Sequence, residues 1–249
     1  MTDDNSIRHT LLRSALFKQT YLGAFLSLLI FAVIFISSCR TGPDAASDSD
    51  PDKDAQAIQA DLFTLLDGET LGQWQITDFT DHGDVVVKDG AIHLPKGNDM
   101  TGVTWTGPVV RMNYELTLEA MRVEGSDFFC ALTFPVDSNS CSLVLGGWGG
   151  TLCGISNLDY YDAANNETTS AIDFENGKWY HVRVLVVPGK MQAWVDGEEI
   201  VNVETAGRRI DTRFEVDMCK PLGLASWQTY GAIRNIWVRK VPPQPEITL

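Results

Sequence analysis

The chain has 249 residues, 44% of them hydrophobic and 21% charged, and a formal net charge of −14. That balance is ordinary for a globular protein, and an acidic chain with no basic patch repels phosphates, which argues against nucleic acid as a partner. Acidity also favours solubility, so it names no partner by itself.

Tyr21 to Ser38 is strongly apolar and carries no charge, and Arg8, Arg13 and Lys18 precede it. This is the basic-then-apolar pattern of an export signal. The run ends in Ile36-Ser37-Ser38-Cys39. A small-residue pair directly before Cys resembles the bacterial lipobox. The resemblance implies that residues 1–38 are removed and that Cys39 becomes the lipidated first residue. A thiolate is the nucleophile that takes a lipid, and acyl chains anchor by burying methylenes in the bilayer. The alternative is an uncleaved transmembrane anchor, because a run of about 18 residues just spans a bilayer. Either reading places the rest of the chain in the cell envelope, outside the cytoplasm, on the periplasmic or outer-membrane side. Residues 39–61 are rich in Asp, Ser, Ala and Pro and almost lack large apolar side chains. Such a segment buries too little to offset its ordering entropy and reads as a flexible acidic tether.

Residues 62–241 carry the globular pattern, with a short tail at 242–249. Asp67-Gly68 and Leu71-Gly72 are turn signals, and Trp74 to Thr77 is strand-like. Val85 to Val87 and Ala91 to Leu94 flank Lys88-Asp89-Gly90, a hairpin signal. Gly102 to Trp105 is β-like. Val109 to Val123 alternates, with Tyr114, Leu116, Leu118 and Ala120 on one face and Glu115, Thr117, Glu119 and Met121 on the other. Phe128 to Phe134 and Cys141 to Leu145 flank a turn at Asp137 to Asn139. A third run starts at Thr151, after Gly146-Gly147-Trp148-Gly149-Gly150. In this meander Phe128, Cys130, Leu132, Phe134, Cys141, Leu143 and Leu145 share an apolar face. Asp127, Phe129, Ala131, Thr133, Ser142, Val144 and Gly146 share a small, mixed face, as expected of a sheet that lines a shallow groove.

Asn157 to Thr169 is polar and aromatic without a period, and reads as a long loop of the kind that carries binding function. It contains the sequon Asn166-Glu167-Thr168, which a bacterial lipoprotein would not normally use. Trp179 to Val187 and Met191 to Val195 form a further hairpin through Pro188-Gly189-Lys190. Asp196-Gly197 then turns into Ile200 to Val203, and Gly223 to Trp227 and Ala232 to Val241 close the domain. No stretch holds a helical period of twelve residues. Many short strands at regular spacing predict an all-β sandwich or jelly roll.

Five motifs in order resemble one family. They are Leu66-Asp67-Gly68-Glu69-Thr70-Leu71-Gly72-Gln73-Trp74, Tyr114 to Glu119, Gly177 to Val184, Ala193-Trp194-Val195-Asp196-Gly197, and Leu222-Gly223-Leu224 with Ile233-Arg234-Asn235-Ile236. The family is the 3-keto-disaccharide hydrolase-like domain, and the resemblance covers Leu62 to Val241. It implies the jelly roll of legume lectins and laminarinase-type enzymes, and extracytoplasmic sugar recognition or glycoside breakdown. Two places depart from the family's pattern. Where many members carry Gln-Asp-His-Gly, this chain has Ala225, Ser226, Trp227 and Gln228. Where many carry an acidic strand residue, it has Ser142.

Glycoside hydrolysis needs two carboxyl groups across the scissile bond. Glu119 and Asp127 are the best remaining pair, both off the core face and on adjacent predicted strands; the alternative is that they are ordinary solvated side chains. Trp148, among four glycines, is expected to be exposed and able to stack on a pyranose. For Trp227 stacking and core packing both stand, while Trp179, Trp194 and Trp237 are expected in the core. Ser142, Gln228 and Tyr230 are candidate hydrogen-bonding groups, and His181 and Arg183 share a strand face as candidate binding groups. His9, His82, His93 and His181 show no ligand spacing, so neither metal nor cofactor is expected; Asp159 to Asp162 has oxygens for calcium but matches no known loop. Cys130, Cys141, Cys153 and Cys219 are expected to be mostly free and buried, with Cys153–Cys219 left open. Cys130 and Cys141 are offset too far along the hairpin to bridge. Three readings follow: a lipid-anchored carbohydrate-recognising domain, a glycoside hydrolase or lyase using Glu119 and Asp127, or a non-catalytic interaction module of the envelope.

Overall fold

The computed structural model describes residues 61–243. Cys39, the export segment and most of the tether lie outside the described residues. The strands are β1 (Leu62–Thr64), β2 (Trp74–Ile76), β3 (Val86–Lys88), β4 (Ala91–Leu94), β5 (Met100–Trp105), β6 (Tyr114–Glu124), β7 (Cys130–Val136) and β8 (Asn139–Gly146). They continue as β9 (Leu152–Ser156), β10 (Ser170–Ala171), β11 (Trp179–Val187), β12 (Lys190–Val195), β13 (Glu198–Glu204), β14 (Gly223–Trp227) and β15 (Tyr230–Lys240). A 3-10 helix covers Phe214–Cys219.

Two antiparallel sheets face each other in a jelly-roll sandwich. The first runs β13-β12-β11-β6-β15-β4-β3, with β1 also on β15; the second runs β10-β9-β8-β7-β14-β5-β2. The hairpins obey the turn chemistry of the sequence. Asp89 and Gly90 both take positive φ between β3 and β4, as a two-residue turn requires. Cys130 stands opposite Leu145 and Phe134 opposite Cys141, the register expected from the turn at Asp137.

The core lies between the sheets. Leu116, Leu118 and Ala120 of β6 and Val182, Val184 and Val186 of β11 meet Cys130, Leu132, Phe134, Leu143, Leu145 and Ile155 of the second sheet, all of them buried. Each large side chain of this kind stabilises the fold by about 1.5–3 kcal/mol. All four described cysteines are free and buried. Burial pushes the Cys130 and Cys219 thiols up to about 12 and Cys153 up to about 11, so they behave as small apolar groups.

Two expectations about packing are corrected. Phe129 is wholly buried, against Phe174 and Tyr180, and Phe128 lines the outer face instead. The ladder begins only at Cys130, so strict alternation does not extend back to these residues. Trp179, Trp194 and Trp237 are half-buried on the outside of the first sheet rather than in the core. There Arg183 lies 3.5 Å over the Trp194 ring and Arg234 lies 4.0 Å over Trp179. The tryptophans inside are Trp74 and Trp105, packed edge-on at 5.2 Å.

Candidate functional site

The outer face of the second sheet is built from short side chains. Register places Gly102, Ala225, Ala131, Val144 and Gly154 in one row across five strands, and Thr133, Ser142 and Ser156 in the next. Large residues there would fill the surface; these leave a groove of about 220 Å³. Ser142 is on the floor, fully buried, its Oγ 2.9 Å from Thr133 Oγ1. Trp227 closes one wall with Phe128 and Met100, its ring 6.5 Å from that of Phe128.

Trp148 joins the lining from the Gly147–Gly150 turn. The backbone there runs through positive φ at Gly146, Trp148, Gly149 and Gly150, which glycine tolerates and tryptophan does not favour. From inside the sandwich, the buried Arg122 of β6 fixes this turn. Its Nη1 donates to the Gly150 carbonyl at 3.0 Å, its Nε to Asn176 Oδ1 at 2.7 Å, and its Nη2 to the Phe174 carbonyl.

Two carboxylates reach the groove. Asp127 is oriented by its own backbone: its N–H donates to Thr229 Oγ1 at 3.0 Å, and its Oδ1 accepts the Phe128 N–H at 2.8 Å. Glu215 comes from the 3-10 helix and is clamped by Arg213 through Nε at 3.1 Å and Nη2 at 2.7 Å. The Arg213 hydrogen bonds hold the Glu215 carboxyl below its usual value. Arg213 Nη1 also donates to Asp162 Oδ2 at 2.8 Å, tying the 157–169 loop to the groove wall. Arg213, Glu215 and Val216 were missed in the sequence because the segment between β13 and β14 has neither strand nor helix period.

Of the residues expected at the site, Asp127, Ser142, Trp148 and Trp227 come together on this groove. Glu119, His181 and Arg183 do not. β6 pairs with β11 and β15, not with β7, so these side chains project from the outer face of the first sheet. Alternation shows which face of a strand a residue takes, but not which sheet the strand joins. The Glu119–Asp127 pair is therefore split across the sandwich. Tyr230 also belongs to the first sheet, its hydroxyl 2.8 Å from His93 Nδ1. Gln228 sits in the turn after β14, its N–H donating to the Asp99 carbonyl at 2.8 Å.

The acids of the 157–169 loop are engaged by arginines. Asp159 accepts from Arg208 and from the Arg209 N–H, and Asp162 from Arg213 and the Ala164 N–H. Asn166 Nδ2 donates to the carbonyls of Ile155 and Asp162, both at 2.8 Å, so the sequon asparagine is a structural brace. Among the described residues no three His, Cys, Asp or Glu side chains group so as to hold a metal.

Of the five positions at which the chain departs from the resembled family, Ala225, Trp227 and Ser142 face or floor this groove, Ser226 points to the opposite side of β14, and Gln228 lies in the turn beyond it. Three solved structures match at low identity, and the two with TM-scores of 0.50 or above share the architecture. The Crh5 transglycosylase in complex with NAG matches with a TM-score of 0.51 and 12% identity, over 75% of this chain and 86% of that one. The VIP36 exoplasmic/lumenal domain, bound to Ca2+ and Man3GlcNAc, matches with a TM-score of 0.50 and 8% identity, over 71% and 86%. The carbohydrate binding module CBM66 from Bacillus subtilis matches with a TM-score of 0.43 and 11% identity, over 68% and 96%. No curated protein matches the chain. The family model for the 3-keto-alpha-glucoside-1,2-lyase-like domain matches residues 61–239, well over half of the chain, and the chain belongs to that family.

Proposed function

We propose that the protein is a lipid-anchored, extracytoplasmic carbohydrate-recognising domain, and that the groove on the second sheet is its sugar site. The observation that carries this reading is the lining itself. Trp148 and Trp227 stand beside a floor of small side chains with Ser142 and Ser156, and Asp127 and Glu215 join them. An indole face meets the C–H face of a pyranose, while hydroxyls and carboxylates take its O–H groups. Two structural neighbours of this fold were solved with a saccharide bound, which is in keeping with the reading. Recognition is favoured over turnover because Ser142, Ser226 and Trp227 stand where the resembled family's pattern carries an acidic residue, Asp and His.

Trp227→Ala should weaken binding on a glycan array at least about tenfold, equivalent to roughly 1.4 kcal/mol. Unchanged binding would overturn the reading. One observation favours a second reading, glycoside cleavage: Asp127 and Glu215 line the same groove. Measurable turnover of a 3-keto-α-glucoside that disappears in Asp127→Asn would select it; no turnover by the parent protein would reject it. The anchor is tested separately. Metabolic labelling with a fatty acid should tag the parent protein and not Cys39→Ser, and an untagged parent protein that still sediments with membranes would replace the lipid with a transmembrane segment.

A further inference from the structure

The outer face of the first sheet holds a second cavity, and we propose that it binds a neutral polyhydroxylated ligand the size of one pyranose ring. This inference is independent of the groove.

The cavity originates in a bulge. β15 pairs Arg234 with Glu119 and then resumes with Trp237 opposite Thr117, so Asn235 and Ile236 together face Leu118. Asn235 takes φ 53° to make the extra step. Ile236 turns into the core, and its carbonyl accepts the Leu65 N–H at 2.8 Å. Bulges of this kind re-aim side chains and recur beside functional sites. Here the bulge borders a cavity of about 390 Å³, whose lining includes Thr117, Glu119, His181, Asn235 and Trp237. That volume is within the range of roughly 300–1,000 Å³ found for ligand pockets.

The lining is held in place. Arg234, stacked on Trp179, donates from Nε to Glu119 Oε2 at 2.6 Å and fixes the carboxylate. Burial raises the Glu119 carboxyl, but hydrogen bonds from Arg234 and Asn235 outweigh it, and the group lies below its usual value. His181 is exposed at the cavity, its backbone N–H pinned to Asp196 Oδ1 at 2.8 Å. Thr117 is 2% exposed, and its Oγ1 has no hydrogen-bond partner among the described residues. A buried hydroxyl left without a partner is uncommon and calls for one from outside the chain.

The donor set selects the ligand. Glu119 repels an anion. A metal ion would find one carboxylate beside the Arg234 guanidinium, and no ligand cluster. A neutral diol instead donates to the carboxylate, exchanges hydrogen bonds with Thr117, Asn235 and His181, and lays its C–H face on Trp237.

The test is an NMR titration of the full-length chain in detergent with methyl α-D-glucopyranoside, following tryptophan indole N–H signals. The Trp237 signal is assigned by its loss in Trp237→Phe. It should shift saturably, and equally so in Trp227→Ala. Glu119→Gln and Thr117→Val should each weaken that titration about tenfold and leave the Trp148 signal as it was. His181→Ala, at an exposed position, gives a variant that does not disturb the core and should weaken it too. A Trp237 signal that stays still overturns the proposal. So does one that titrates identically in all three variants, which would leave Thr117 to an ordered water, or one lost in Trp227→Ala, which would mean a single site. Movement of Trp237 with the Trp148 and Trp227 signals unmoved would show that this cavity takes the pyranoside without the groove and leave this proposal standing whatever the glycan array finds for the groove.

Discussion

Trp148 is held at φ 50° and ψ 47°, in the left-handed region, with glycines on either side of it. For an L-residue that conformation costs about 1–2 kcal/mol. Burial does little to offset the cost, because the side chain is 47% exposed. What the ring gains from this backbone is its place at the groove, and strain of this sort is typical of sites where position matters more than stability. Trp148→Gly relieves the strain and removes the ring. It should therefore leave thermal stability unchanged or raise it by up to about 1 kcal/mol, some 2–4 °C for a domain of this size, while weakening glycan binding. A drop of many degrees in a melting curve would make Trp148 a packing residue and remove it from the site.

The strands were largely legible, because a half-buried strand writes its burial as a period of two. Tyr114, Leu116, Leu118 and Ala120 face inward as their alternation says, and Asp89-Gly90 and Asp137 mark real turns. Strand neighbourhood was not legible. β6 precedes β7 in sequence, yet the two lie in opposite sheets, and that separation divided the expected acid pair. Arg122 shows a second limit. It continues the inward row of β6, where alternation calls for an apolar side chain. Three hydrogen bonds to neutral acceptors satisfy its buried guanidinium. Those acceptors lie about 30 to 50 residues further along the chain, beyond the reach of any local pattern. The 3-10 helix that brings Glu215 to the groove was invisible for a different reason: its six residues are too few to write a period, and the clamp that aims Glu215 is a single pair two residues apart. Half of the groove, the part floored and walled by β7, β8 and β14, could be read from alternation; the half supplied by connections could not.

Acid response follows from how the carboxylates of the sandwich are paired. The folded state lowers Glu215 through Arg213, Glu167 through Arg208, and Asp159 through the Arg209 N–H and Arg208. It also lowers Asp211 and Asp217, where burial opposes the shift and Lys220 together with hydrogen bonds from Thr212 outweighs it. A depressed carboxyl binds fewer protons folded than unfolded, so its contribution is complete above the unfolded value and is lost as pH falls through the folded one. With unfolded values of about 3.9 for Asp and 4.3 for Glu, the loss begins near pH 4 to 5 and deepens below it. The net charge of −14 acts in the other direction, because acidification relieves self-repulsion as the chain approaches its pI of about 4.6. That repulsion is spread over the surface and screened within about 8 Å at physiological salt, whereas the Arg213–Glu215 and Lys220–Asp217 pairs are in direct contact at 2.7 and 2.8 Å. The close pairs should therefore dominate on the acid side. Urea midpoints should be nearly level between about pH 5 and 8 and fall steadily below about pH 4. Arg208→Ala, which releases Glu167 and part of the hold on Asp159, should make that fall shallower. A midpoint that rises on acidification through this range would show that relief of the net charge outweighs the paired carboxylates.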